Sequence, residues 1–207
     1  MKTMQTGPVT TLKQRVARLT VGLGLAAMMA FGAAMPTLAA EGDTGFTVTG
    51  SSLALVSVTE STGAAVTLSG LDQTSNFNVG LTINDPSGTG AGWKVTATST
   101  TFEIATGPNA GKKLAAGAST VQTPTSVACF AGSSCTAAEP TVTFGSLVIP
   151  SGEAGSPPTA ATVYNADAET GLGKMSATLP VQVSLLAGTT FAGTYNSTLT
   201  LALVSAP

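Results

Sequence analysis

Residues 76 to 104 read "NFNVGLTINDPSGTGAGWKVTATSTTFEI", and the fold turns on how this stretch is understood. Phe77, Val79, Leu81 and Ile83 fall on one side of an extended chain while Asn78, Gly80 and Thr82 fall on the other. That period of two marks a strand with one buried face. "DPSGTGAG", Asp85 to Gly92, is too rich in Pro and Gly to continue it and reads as a turn. Alternation then resumes with Trp93, Val95 and Ala97. The whole stretch is expected to be a long hairpin.

Working outward, "KMSATLPVQVSLL" places Met175, Ala177, Leu179, Val181, Val183 and Leu185 on one face. Pro180 falls on the other face and has no N–H for a ladder, which points to an edge position or a bulge. After "AGTTFAG", the odd positions Tyr195, Ser197, Leu199, Leu201 and Leu203 share a face, so these two segments are expected to form a second hairpin. "GFTVTG", "SLALVSVT", "AAVTLSG", "TVTFGSLVIP" and "ATVYNA" are further strand candidates. Residues 105 to 140 are rich in small and turn-forming residues and should be loops with short strands. Many short strands separated by turns predict an all-β fold, an antiparallel β-sandwich of immunoglobulin-like or related Greek-key topology.

The first forty residues differ. Lys2, Lys13, Arg15 and Arg18 precede the apolar run "LTVGLGLAAMMAFGAAMPTLAA", the layout of a secretory signal peptide. Cleavage after Ala39 or Ala40 would leave residues 41–207 as one domain without stable membrane insertion. All ten acidic residues but only four basic ones, Lys94, Lys112, Lys113 and Lys174, follow residue 40, so that portion carries a net charge of −6. Such a surface is ill suited to nucleic acid, whose phosphates require basic partners. Cys129 and Cys135, in "ACFAGSSC", are expected to form a local disulfide in an exported chain.

Catalytic chemistry has little to work with. There is no His, and the acidic residues are spread singly through expected turns, apart from Asp167 and Glu169. Nucleophilic catalysis needs a base beside the nucleophile, and glycoside hydrolysis needs paired carboxylates, so the chain is read as a non-enzyme without cofactor. Asp85, Asp167 and Glu169 do not form a dense calcium-ligand run, and no metal is expected. Asn196 in "NST" formally matches a glycosylation acceptor, but its place in a strand favours an ordinary strand residue. Trp93, the only tryptophan, reads first as a core anchor and alternatively as an aromatic for carbohydrate recognition.

"LTINDPSGTGAGWKVTATSTTF" and "AGTYNSTLTLALVSAP" resemble the two motifs of the WxL family of Gram-positive surface proteins. "YNADAETGLGKMSATLPVQVSLLAGTTFAGTY" is similar to the family's approach to its closing motif. Carried over by position, the first motif is Trp93, Lys94 and Val95, with Val95 where the family prefers Leu. The second is Leu201, Ala202 and Leu203, with Leu201 where the family usually has Trp; Tyr195, Leu199, Thr200 and Pro207 match. The resemblance implies a secreted, wall-associated protein held noncovalently on peptidoglycan or another wall polymer, with other surface proteins as further partners. It also implies that Trp93, Lys94, Val95, Tyr195, Leu199, Leu201 and Leu203 serve wall binding, and that the two motifs meet in the fold. An alternative function is a structural or adhesive subunit of a surface array or pilus, assembled by strand pairing through the last strand.

Overall fold

The computed structural model describes residues 46–205. The expected signal peptide with its cleavage site, and Pro207, lie outside the described residues. Within them the chain is all-β, with no helix. In order come β1 (Ala54–Glu60), β2 (Gln73–Asp85), β3 (Trp93–Thr100), β4 (Glu103–Ile104), β5 (Ser119–Val121) and β6 (Ser126–Cys129). They are followed by β7 (Leu147–Val148), β8 (Ser151–Gly152), β9 (Ala161–Ala166), β10 (Gly173–Leu185), β11 (Tyr195–Asn196) and β12 (Leu199–Ser205). One sheet runs β1-β2-β10-β5-β7, with β6 beside β5 on β10; the other runs β12-β3-β9, with β8 also on β3. β4 and β11 pair separately. Every pairing between strands is antiparallel except β3 with β8.

The alternating segments are strands as expected, but neither expected hairpin forms. β2 pairs with β10 over thirteen positions, from Gly173↔Asp85 to Leu185↔Gln73. β3 pairs instead with β12 and β9 in the other sheet. The turn after Asp85 and the loop after Leu185 are therefore arches from one layer to the next. The physical reason lies in the alternation. Val79, Leu81 and Ile83 are buried on one face only, as are Trp93, Val95 and Ala97. Side by side in one sheet, both rows would need a cover; stacked across the arch, each covers the other. Met175, Ala177, Leu179 and Val181 complete the same core.

Pro180 is not on an edge strand. β10 is central, but on the side away from β2 its partner changes from β6, at Met175 to Thr178, to β5, at Val181 to Val183. The Pro180 carbonyl accepts from the Gln122 N–H at 2.8 Å, so its missing N–H points toward the gap between β5 and β6. The ladder is interrupted where proline could not have served it.

Three other strand candidates need correction. "GFTVTG" is extended coil over residues 46 to 50, with Phe46 90% and Val48 80% exposed. "AAVTLSG" is also coil, held by the Ala64 N–H to Asn76 carbonyl bond at 3.2 Å. Of "TVTFGSLVIP", only Leu147–Val148 is strand. Outside Leu147–Val148, which pair with β5, these segments carry the pattern without joining a sheet, and unpaired pattern does not hold a strand. In β9 the register skips Val163, a bulge that buries both Val163 and Tyr164. Cys129 and Cys135 are disulfide-bonded, with Cα atoms 5.4 Å apart, closing the turn after β6.

Candidate functional site

The first motif forms a lock inside the core. Trp93 is 0% exposed, and its Nε1–H donates to the Gly171 carbonyl at 3.0 Å. Its ring lies 5.6 Å from that of Tyr164 at an interplanar angle of 48°, within the range of favourable aromatic pairs. Glycines shape the space. Gly92 has φ of 75°, and a Cβ there would come within 2.8 Å of the Asp167 carbonyl oxygen. Gly171 has φ of 72°, and its Cβ would sit 2.6 Å from Trp93 Nε1. The Gly-Trp pair and the Gly171-Leu172-Gly173 stretch are thus two halves of one packing unit. Val95 is 0% exposed, whereas Lys94, between them on β3, points to solvent.

The second motif lies directly beside the first. β12 pairs with β3 as Leu199↔Ser99, Leu201↔Ala97, Leu203↔Val95 and Ser205↔Trp93. Directly paired residues share a face, so Leu199, Leu201 and Leu203 point inward and are half-buried against the core. The expectation that the motifs meet is met, through a strand ladder. The phenol of Tyr195 accepts from the Phe191 N–H at 3.0 Å and donates to the Phe191 carbonyl at 3.1 Å, fixing the loop before β11.

β12 is an edge of its sheet and β1 an edge of the other. The β1 register Val58↔Leu81 and Glu60↔Val79 turns Val58 and Glu60 toward the space between the sheets. They face Leu199 and Leu201 across an open cleft of about 450 Å³. A second hollow of about 210 Å³ shares Glu60 and Leu199 with it and reaches Ser99, Phe77 and Tyr195. A third, about 600 Å³, shares Phe77, Phe102 and Tyr195 with the second and ends at Phe191. The seven wall-binding candidates therefore divide by position: Tyr195, Leu199 and Leu201 line these hollows, and Lys94 lies outside them. Trp93 and Val95 are sealed in the core, and Leu203 packs beside them.

Glu60 and Ser99 escaped the sequence reading. Glu60 follows Val58 by two and so shares its face, a signal that was present; the inward turn of Ser99 followed from Trp93, Val95 and Ala97. Two of the three carboxylates considered for calcium are engaged otherwise. Asp85 Oδ1 accepts from Ser87 N–H at 3.1 Å and Ser87 Oγ–H at 2.6 Å, and Asp167 Oδ1 accepts from Asn165 Nδ2 at 2.9 Å. No cluster of metal-ligating side chains occurs among the described residues.

Comparison with known families returns the profile described as WxL domain surface cell wall-binding, matched over residues 42–207. The chain belongs to the WxL domain family. Comparisons with curated proteins and with solved structures return no match. Membership gives the coarse function, attachment at the cell surface to the cell wall. Within this WxL domain, the Trp of the first motif holds the sandwich together, and the strand of the second motif walls the groove.

Proposed function

We propose that this WxL protein is exported and held noncovalently on peptidoglycan, acting by binding and without catalysis. The observation that carries the reading is the coincidence of motif and cleft: β12, the strand bearing the second motif, supplies Leu199 and Leu201 to an open cleft that Val58 and Glu60 of β1 line from the other side. An extended polymer needs such an open surface. Adhesion without a covalent bond has a direct test. Extracting intact cells with urea should release the full-length protein with the wall undigested; release only after wall hydrolysis would contradict it.

A second reading is a subunit assembled by strand pairing. It rests on β12 having β3 as its one strand partner among the described residues, and on the exposed alternating Phe46 and Val48. Concentration-dependent polymers of residues 41–207 in size-exclusion chromatography would favour it over wall binding.

A further inference from the structure

We propose that the Cys129–Cys135 disulfide is a redox-sensitive clamp on the Trp93 lock. Closed, it holds the Gly171 carbonyl on the indole; opened by a dithiol, it releases the indole while the rest of the sandwich stays folded.

The register shows what the bridge does. β6 runs antiparallel to β10, with Ser126↔Thr178, Val127↔Ala177, Ala128↔Ser176 and Cys129↔Met175. The Phe130 N–H continues this line by donating to the Lys174 carbonyl at 2.9 Å. The chain then leaves the line and rejoins it at Cys135, which bridges to Gly173. Cys129 and Cys135 are six apart in sequence, yet their partners on β10, Met175 and Gly173, are only two apart. The disulfide therefore splices two pieces of one edge strand across a looped-out excursion and sets the register of the second piece. Gly173, at φ of 86°, permits the close approach, since a Cβ there would lie 2.7 Å from the Ser134 carbonyl oxygen.

The second piece ends on the lock. The Thr136 N–H donates to the Leu172 carbonyl at 3.0 Å, and the Gly171 N–H donates to the Thr136 carbonyl at 3.1 Å. The Gly171 carbonyl in turn accepts from Trp93 Nε1–H at 3.0 Å. One residue thus carries both ends of the connection: its N–H is held by the spliced strand, and its carbonyl holds the indole. Thr136 is exposed, and hydrogen bonds at a strand end open to water contribute little alone. The covalent splice decides whether Thr136 stays in register with Leu172 and Gly171.

The bridge is within reach of a reductant. Every residue of β6 is exposed, Cys129 included, whereas Cys135 is half-buried against the core. A thiolate of a dithiol attacks Cys129 Sγ, the S–S bond breaks, and the electron pair leaves on the Cys135 sulfur, which takes a proton from water. The second thiol of the reductant, giving up its proton, then displaces the Cys129 sulfur, which is protonated in turn. Two protein thiols and the reductant's own disulfide result.

The test is hydrogen exchange of the ¹⁵N-labelled protein, oxidised and after reduction with dithiothreitol. It is followed at the Trp93 indole N–H, at the Thr136 and Gly171 amides, and at the Leu81 and Ala177 amides, which pair in the middle of the β2–β10 ladder. A staple that acts only by limiting the unfolded chain speeds every deeply protected proton by one common factor. The clamp instead predicts that the indole, Thr136 and Gly171 protons gain at least tenfold more than those of Leu81 and Ala177. Thr136→Pro removes the N–H bonded to Leu172 and keeps the disulfide, so it should give the indole the same selective gain in the oxidised protein. Coupling between two sites is reciprocal, so Trp93→Phe should raise the equilibrium constant for reduction by dithiothreitol severalfold. One common factor for all five protons would overturn the proposal. So would global unfolding on reduction, or a reduction equilibrium that Trp93→Phe leaves unchanged.

Discussion

Replacing Trp93 separates a motif that builds the fold from a motif that touches the wall. Its indole is fully buried, packs on Tyr164 and bonds the Gly171 carbonyl at 3.0 Å. Trp93→Ala removes the ring and leaves that carbonyl unpaired, so the cost should be about 3 to 5 kcal/mol. For a domain of this size that corresponds to a fall in melting temperature of roughly 6 to 20 °C, a large part of ordinary stability. Trp93→Phe keeps most of the volume and loses chiefly the hydrogen bond, so it should cost about 1 to 3 kcal/mol. Far-UV circular dichroism against urea is the suitable assay, since both changes delete the only tryptophan. Below its melting transition the Phe variant should cosediment with sacculi as the parent does. If Trp93→Phe keeps the parent's stability and loses wall binding, the indole acts on the wall directly and the core account is wrong.

Four further outcomes follow from the same geometry. Burial pushes the Tyr164 phenol up to about 12, a raised folded-state value, so the neutral form's contribution is whole below pH 10 and is lost as pH climbs toward 12. Urea titrations should show stability falling by roughly 2 to 3 kcal/mol over that window, and Tyr164→Phe should remove most of that slope; an unchanged slope would refute the assignment. Gly171→Ala places a Cβ against the indole at positive φ and should destabilise by at least about 2 kcal/mol, measured by thermal melting. Reducing Cys129–Cys135 opens a clip with a sequence separation of six on an exposed strand; about 2 kcal/mol should be lost with the spectrum of the folded state retained. Leu201→Trp restores the family's usual residue at the mouth of a cleft of about 450 Å³, so it should be accommodated within about 1 kcal/mol, less than the usual cost of overpacking; a larger loss would show that the cleft is closed in solution.

Strand identity was legible wherever one face is apolar over a long run. β2, β3, β10 and β12 all announce themselves by alternation, and their inward residues are those the pattern selects. Partner choice was not legible, because alternation states which face is buried and not which edge is paired. The arch after Asp85 looks like a hairpin turn in sequence, and its Asp-Ser bonds serve either geometry. Pattern alone also misled: residues 46 to 50 alternate as well as β1 does but join no sheet. Pro180 misled for the converse reason, since a gap between two short partners on the far side of β10 is invisible locally. Of the site, the disulfide and the meeting of the motifs were readable. The groove was not, because it is enclosed by Glu60, Ser99 and Tyr195, which are far apart in the chain and close only once the two sheets stack.

The central claim is that this domain holds the wall through neutral, uncharged contacts. Its most direct test is cosedimentation of purified residues 41–207 with sacculi stripped of anionic polymers, from about 0.05 M to 0.5 M salt, a range that shortens the screening length severalfold. With a net charge of −6 and no Arg after residue 40, binding should persist on stripped sacculi and hold or strengthen as salt rises. Binding that vanishes with the anionic polymers, or falls steeply with salt, would contradict it and move attention to the lysines, Lys94 first.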